Sequence, residues 1–250
     1  MIIGPVERRL REEIDKYGTI CLALLDFENL PPKKAGMIAH SAEECGVSGI
    51  LIGGSTAADQ LELTSVIEAV KESVKLPVIL FPGNPFTISP KADAILFSSL
   101  LNSDNPYFIS QAQALGALSV KKYGLEAIPM GYIVVGDGGA IGFIGRARGI
   151  PPSKPNLAAM YALAAQYMGM RFVYLEAGSG VTSHISPSVI SAVRKVFNGV
   201  LIAGGGIKQV NEAVEVAKAG ADIIVLGTLF EEENFEPKLN EIIKNIRKCK

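Results

Sequence analysis

Eight short apolar runs recur along this chain, at residues 20–25, 49–52, 77–81, 94–97, 128–135, 172–175, 200–203 and 223–226. Amphipathic segments of helical period fill most of the intervals, among them 57–74, 107–123, 156–168, 187–197 and 208–218. A strand that is apolar on nearly every residue must be covered on both faces, which is the condition of a parallel sheet wrapped by helices. Eight such strands in 250 residues match the usual size of an eight-stranded barrel, and no linker divides them. The expectation is one domain spanning residues 1–250, of class α/β, folded as a (β/α)8 TIM barrel.

One interval breaks the alternation. Only eleven residues, 82–92, separate Phe81 from Asp93, and they include Pro82, Gly83, Pro85 and Pro90. A parallel crossover needs a dozen or more residues, usually with a helix, and proline disrupts a helix interior. A modified barrel lacking the third helix is therefore expected. The uncovered wall would present an apolar groove between the neighbouring helices.

Three turns follow strand-like runs and put small residues where a backbone can approach an anion closely. The first is Tyr174-Leu175-Glu176-Ala177-Gly178-Ser179-Gly180, the second Gly204-Gly205-Gly206-Ile207, the third Gly227-Thr228. Barrels of this class place active sites at the C-terminal strand ends and commonly bind phosphate after strands seven and eight, where the second and third turns lie. Their amides, backed by the N-terminus of a short helix, are candidate phosphate donors; the same glycines could serve only as tight turns. Glu176 adds a carboxylate, so the pocket has the means for chemistry as well as charge.

Asp26 ends the first strand and Ser55 follows the second, which aims both at the same mouth. A carboxylate and a hydroxyl, completed by water and substrate oxygens, suit Mg2+. Asp and Ser also end strands by capping the next helix, so both readings stand.

Composition removes other classes. With 24 basic and 25 acidic residues the chain gives no reason to expect a nucleic-acid or anionic-membrane partner. Cys21, Cys45 and Cys249 match neither a disulfide framework nor a zinc site, which suits a reduced cytoplasmic compartment. The charged N-terminal segment has no apolar core like that of a signal peptide, and no apolar run reaches membrane-spanning length, so a soluble protein is expected. His40 and His184 have no second ligand at metal-binding spacing, and Ser179 is not in a nucleophile elbow, leaving it as a phosphate donor. Gly136 to Gly142 lacks the third glycine of a dinucleotide fingerprint and is read as a loop that does not join a strand directly to a helix. Apolar outer helices would support a homo-oligomer, with no face singled out.

Taken in order, Leu25-Asp26, Gly53-Gly54-Ser55, Phe81-Pro82-Gly83, residues 98–102, the YLEAGSG turn, GGGI and Gly227-Thr228 resemble the geranylgeranylglyceryl phosphate synthase family of archaeal ether-lipid prenyltransferases. The resemblance runs from about residue 20 to 230 and carries with it the barrel without a third helix. It implies transfer of geranylgeranyl from geranylgeranyl diphosphate to the 3-hydroxyl of sn-glycerol 1-phosphate. Asp26 and Ser55 would then hold magnesium against the diphosphate. Tyr174 through Gly180, Gly205, Gly206, Gly227 and Thr228 would hold glycerol phosphate, and Glu176 would orient the hydroxyl and accept its proton. An ordinary carboxylate, with a pKa of about 4.3, is a poor base toward an alcohol, but it suffices if the proton leaves late, after positive charge has built on carbon. Phe97, Tyr107, Phe108 and Tyr132 are candidates for lining the prenyl groove.

The chain departs from the family pattern in two places. It has no tryptophan to close the groove, and Asn29 stands where the family often has a lysine after its first-strand aspartate. Arg146 and Arg148 are possible substitutes for that cation, or solvated side chains. A longer-chain heptaprenyl synthase, a phosphate-binding isomerase or lyase, and a non-catalytic phosphate-binding barrel are the competing readings.

Overall fold

Each apolar run becomes a strand because its alternate residues find two different apolar surroundings. In the computed structural model, which describes residues 3–54 and 59–249, eight parallel strands close into a barrel in chain order. They are β1 (Ile20–Asp26), β2 (Gly49–Gly54), β3 (Val78–Pro82), β4 (Ala94–Leu100), β5 (Glu126–Val134), β6 (Phe172–Glu176), β7 (Val200–Gly204) and β8 (Ile223–Leu226). The helices are α1 (Pro5–Tyr17), α2 (Pro32–Cys45), α3 (Gln60–Ser73), α4 (Ala112–Tyr123), α5 (Gly139–Ile144), α6 (Pro155–Tyr167), α7 (Pro187–Arg194), α8 (Val210–Lys218) and α9 (Glu236–Ile246). Along β1, Ile20 and Leu22 pack into the barrel interior with Leu51, Ile79 and Val225, while Cys21, Ala23 and Leu25 pack outward in the layer beneath the helices. Pairing of Ile20 with Ile223 and of Ala23 with Leu226 closes the sheet.

The N-terminal end of the barrel is sealed. Val6, Leu10 and Ile14 of α1 join the interior cluster. The Glu126 carboxylate caps α1, accepting from the amides of Val6 at 2.7 Å and Glu7 at 2.9 Å, which satisfies donors left open at the start of a helix. Glu7 is itself fully buried and accepts from Nε of Arg171 at 2.8 Å and Nε of Arg11 at 3.0 Å. Burial alone would raise its pKa; the two guanidinium groups outweigh that and hold it below the usual carboxylate value.

No helix connects β3 to β4. The intervening strap is pinned on α3, with Gln60 Nε2 donating to the Ile88 carbonyl at 2.6 Å and the hydroxyls of Thr64 and Ser89 2.9 Å apart. Ile88 is buried beneath it. The third helix is therefore absent, as the proline-rich spacing implies, and a gap opens between the strap and α4.

Two segments differ from the sequence expectation. Residues 107–123 are not one regular helix: Tyr107–Gln111 form a wider π-helical turn before α4 begins. Gln113 steadies it by donating through Nε2 to the carbonyls of Ser98 at 2.6 Å and Phe108 at 3.0 Å. The glycine-rich stretch after β5 does lead from a strand into a short helix, α5, contrary to its reading as a loop. Asn102 fastens this stretch to the end of β4, donating from Nδ2 to the carbonyls of Val134 at 2.9 Å and Arg148 at 3.0 Å. Among the described residues, no helix is long and apolar enough to cross a membrane.

Candidate active site

The C-terminal ends of the strands surround a cleft that runs outward into the gap left by the missing helix. Asp26 of β1, Phe81 of β3, Tyr132 of β5, Tyr174 and Glu176 of β6, and the turns after β7 and β8 line its mouth; Pro85, Ile88, Phe97, Phe108 and Gly116 line its apolar extension.

Glu176 is the last residue of β6 and is buried, with 7 % of its surface exposed. Tyr132 Oη donates to its Oε2 at 2.8 Å, and the Gly178 amide donates to Oε1 at 2.6 Å. The Tyr174 hydroxyl is a further donor group close enough to favour the charged carboxylate. Burial raises the pKa of Glu176 above the ordinary carboxylate value, and the three donors only partly offset it. Burial and the nearby carboxylate also push both tyrosines far up, so they remain hydrogen-bond donors.

The turn residues divide by direction. Ser179, Gly205, Gly206, Gly227 and Thr228 line the cleft. Gly180, Ala177 and Gly178 do not, and the Gly178 amide is turned onto Glu176. Leu175 packs in the outer layer, because side chains on a strand alternate, so its side chain cannot reach a ligand in the mouth. Gly205 has φ +83°, and a Cβ there would lie 2.5 Å from Glu176 Oε1; only glycine lets this turn pass so close to the carboxylate. A short 3-10 helix, Thr228–Glu231, opens directly from the turn after β8, with Gly227 and Thr228 on the cleft, whereas before α8 Glu212 accepts from the amides of Lys208 at 2.6 Å and Gln209 at 2.8 Å.

The groove candidates also divide. Phe97 and Phe108 line the apolar extension, whereas Tyr107 lies outside it, edge-on to Phe108 at 5.1 Å. Tyr132 lines the cleft but as a partner of Glu176, a pairing set by adjacent strands and invisible in sequence. Arg146 pairs with Asp104 at 3.1 Å, and neither it nor Arg148 lines the cleft, so the structure does not support them as diphosphate ligands. His184 faces Glu215 at 3.7 Å, away from the mouth. Phe81, Ile88 and Gln113 were not singled out as site residues; Phe81 could have been, because it ends a barrel strand.

Asp26 lies across the mouth from Glu176. It accepts from the Glu28 amide at 3.1 Å, as a cap would, and burial raises its pKa, with the negative charges of Glu28 and Glu231 adding to the rise. Among the described residues no lysine or arginine lines the cleft. A solvent-reached carboxylate that faces Glu176 across a wall with no basic side chain among the described residues fits a hard divalent cation, which takes oxygen ligands and keeps few from protein. Ser55, the other oxygen expected there, lies outside the described residues, and no cluster of three or more His, Cys, Asp or Glu side chains occurs among those described.

A closed parallel barrel without its third helix, with phosphate-type turns at strands seven and eight beside a buried carboxylate and an apolar groove, defines a barrel suited to joining a phosphorylated alcohol to an apolar chain. The PcrB family profile matches residues 19–246, and the chain belongs to that family. It is 52% identical to geranylgeranylglyceryl phosphate synthase of Nitrosopumilus maritimus over 99% of both chains. It is 49% identical to that of Pyrococcus abyssi, over 98% of this chain and 99% of the relative. The crystal structure of (S)-3-O-geranylgeranylglyceryl phosphate synthase from Thermoplasma acidophilum, in complex with its substrate sn-glycerol-1-phosphate, superposes with a TM-score of 0.93 at 38% identity, covering 99% of this chain and 100% of that one. The resemblance carried by the sequence motifs is borne out.

Proposed function

We propose that this protein transfers a geranylgeranyl group from geranylgeranyl diphosphate to the 3-hydroxyl of sn-glycerol 1-phosphate, releasing diphosphate. The observation that carries the reading is Glu176, buried and hydrogen-bonded through both carboxylate oxygens where the polar mouth meets the apolar groove. Membership of the family and likeness to a synthase crystallised with glycerol phosphate support it.

Glycerol phosphate rests on Ser179, Gly205, Gly206, Gly227 and Thr228, whose amides and hydroxyls meet its charge without a basic side chain. The prenyl chain lies in the groove along Ile88, Phe97 and Phe108, each buried methylene contributing about 0.8 kcal/mol before ordering costs. In the reaction the bond from the allylic carbon to diphosphate oxygen breaks, the glycerol oxygen bonds to that carbon, and the hydroxyl proton passes to Glu176. The raised pKa of Glu176 makes it a better acceptor than a solvated carboxylate, and loss of the proton late in the step suits its strength. Asp26, with Ser55, would hold magnesium, which when bound supplies neutralisation of the charge on the leaving diphosphate.

The same reading makes the chain one cytoplasmic domain, in keeping with free thiols at Cys21, Cys45 and Cys249. It also makes the protein a homo-oligomer, supported by exposed Met160, Tyr167 and Met168 on and just after α6 and Phe143 on α5. A longer prenyl donor is the second reading, favoured by the small Ala112 and Gly116 lining the groove.

The test is single-turnover formation of a solvent-extractable prenyl ether with magnesium, each glycerol phosphate enantiomer, and geranylgeranyl or heptaprenyl diphosphate. Product from the 1-phosphate alone, fastest with the geranylgeranyl donor, is expected. No product from folded protein overturns the transferase reading.

A further inference from the structure

Phe81, Tyr132 and Tyr174, from β3, β5 and β6, form one mutually contacting aromatic cluster across the barrel mouth. The Phe81 ring stacks on Tyr174 with centroids 5.3 Å apart and planes at 29°, and meets Tyr132 at 5.4 Å and 76°; the two tyrosines are 5.2 Å apart at 85°. The tyrosines have an evident task, because Tyr132 donates to Glu176 and the Tyr174 hydroxyl also favours its charged form. Phe81 has none: it carries no polar atom, yet it is only partly buried and lines the cleft. It stands at the junction of the two halves of the site, since Pro82, Pro85 and Ile88, which follow it, line the groove.

We propose that Phe81 is a further catalytic residue, whose ring stabilises the positive charge that develops on the allylic carbon during transfer. This rests on the transferase reading above. If the prenyl tail lies in the groove, and its diphosphate and the glycerol hydroxyl lie in the mouth, the reacting carbon must be at their junction, where this ring is. As the carbon–oxygen bond to diphosphate breaks and before the ether bond is complete, the electron deficit is spread over the allylic carbons. An aromatic face attracts such a cation through its quadrupole, most strongly where water is excluded. Because the charge is largest in the transition state, the attraction accelerates the step rather than only tightening binding. A phenylalanine suits this position better than a polar donor, having no oxygen that could capture the cation. Stacking on Tyr174 holds the ring in place, and the Phe81 backbone is packed tightly against β2, where a Cβ at Gly53 would lie 2.2 Å from the Phe81 carbonyl oxygen.

The experiment replaces Phe81, by nonsense suppression in the full chain, with mono-, di- and trifluorophenylalanine, which draw density from the ring face with little change of size. Single-turnover rates and KM for the prenyl diphosphate are measured at saturating glycerol phosphate, with thermal melting of each variant. The logarithm of the rate is expected to fall steadily with each fluorine, to about a tenth or less at three, with KM and melting temperature nearly unchanged. Phe81→Leu, which keeps an apolar side chain, is expected to lose about ten- to thirtyfold in rate. A flat fluorine series with an active wild type overturns the role of the ring and leaves the transferase reading standing. A wild-type protein that forms no ether overturns the transferase reading, and the role of Phe81 with it.

Discussion

Tyr132 donates its hydroxyl to Oε2 of Glu176 at 2.8 Å across the seam between β5 and β6. In that seam Tyr132 is opposite Tyr174 and Val134 is opposite Glu176. The phenol thus reaches one pleat along the neighbouring strand, from the interior of the barrel to its rim. It ties the carboxylate to the barrel wall and tunes its charge.

Glu176→Gln is expected to keep the fold and lose about 10²–10⁴-fold in single-turnover rate, the usual contribution of a positioned acid or base. The amide fills the same buried space without a charge. The melting temperature should therefore hold or rise, and rate and melting measured on one preparation check both.

The rate should fall in acid along a limb whose apparent pKa lies above the ordinary carboxylate value, because burial raises Glu176 and the ionised form is needed. The Tyr132 hydrogen bond favours the ionised form, so Tyr132→Phe should move that limb to higher pH. For stability the sign is opposite. A folded-state value above the unfolded one means that the folded protein holds the proton more tightly. That contribution is complete below the unfolded pKa and is lost as pH rises through the folded one. Profiles of kcat/KM and of melting against pH separate the two.

Asp26→Asn should raise the magnesium concentration for half-maximal rate at least about tenfold, since a neutral amide replaces the carboxylate in a wall that has no basic side chain among the described residues. Asparagine can still accept from the Glu28 amide, so the local turn survives. Metal titration of activity, alongside thermal melting, checks it. Removing magnesium by chelation should stop the wild type.

Gly180→Ala and Gly205→Ala provide a contrast. Both glycines have positive φ, at +71° and +83°, so each substitution should cost roughly 1–2 kcal/mol in backbone strain. At Gly180 nothing lies within 4 Å of the new carbon, whereas at Gly205 it would meet Glu176 and Gly178. Both variants should be less stable by denaturant melting, and only Gly205→Ala should lose most of its activity.

At the sealed end, Glu7→Ala should destabilise by about 3–5 kcal/mol, since it leaves Arg171 without its carboxylate in a partly buried site. Residual folded enzyme should turn over at the wild-type rate, because the pair is at the opposite end of the barrel from the chemistry. Denaturant melts and active-site-normalised rates check this. Glu7 has its pKa held low by its arginines; its stabilisation is present above the unfolded value and lost as pH falls through the folded one.

Much of the architecture was legible because it depends on local pattern. Doubly buried strands announce themselves by continuous apolar residues, and the strap at 82–92 by its length and prolines. The glycine turns after β7 and β8 were legible because a parallel barrel gathers all its C-terminal strand ends at one mouth. The π-helical turn at Tyr107–Gln111 was not, since its apolar spacing reads as an ordinary helix and its wider winding is steadied by the distant Ser98 through Gln113. Nor were the positions of Arg146 and Arg148, whose loop is fixed by Asn102 from the turn after β4.

The sequence by itself determined the class of fold, the missing helix, the end of the barrel that bears the site, and the family to which the chain belongs. These follow from periodicity, chain length between strands, and motifs contiguous along the backbone. Only the tertiary structure decided that Tyr132 serves Glu176 rather than the groove alone, that Leu175 faces outward while Glu176 faces the mouth, and that no basic side chain among the described residues lines the cleft. Those facts depend on barrel closure and register, which bring together residues that are far apart in the chain and settle which way each side chain points.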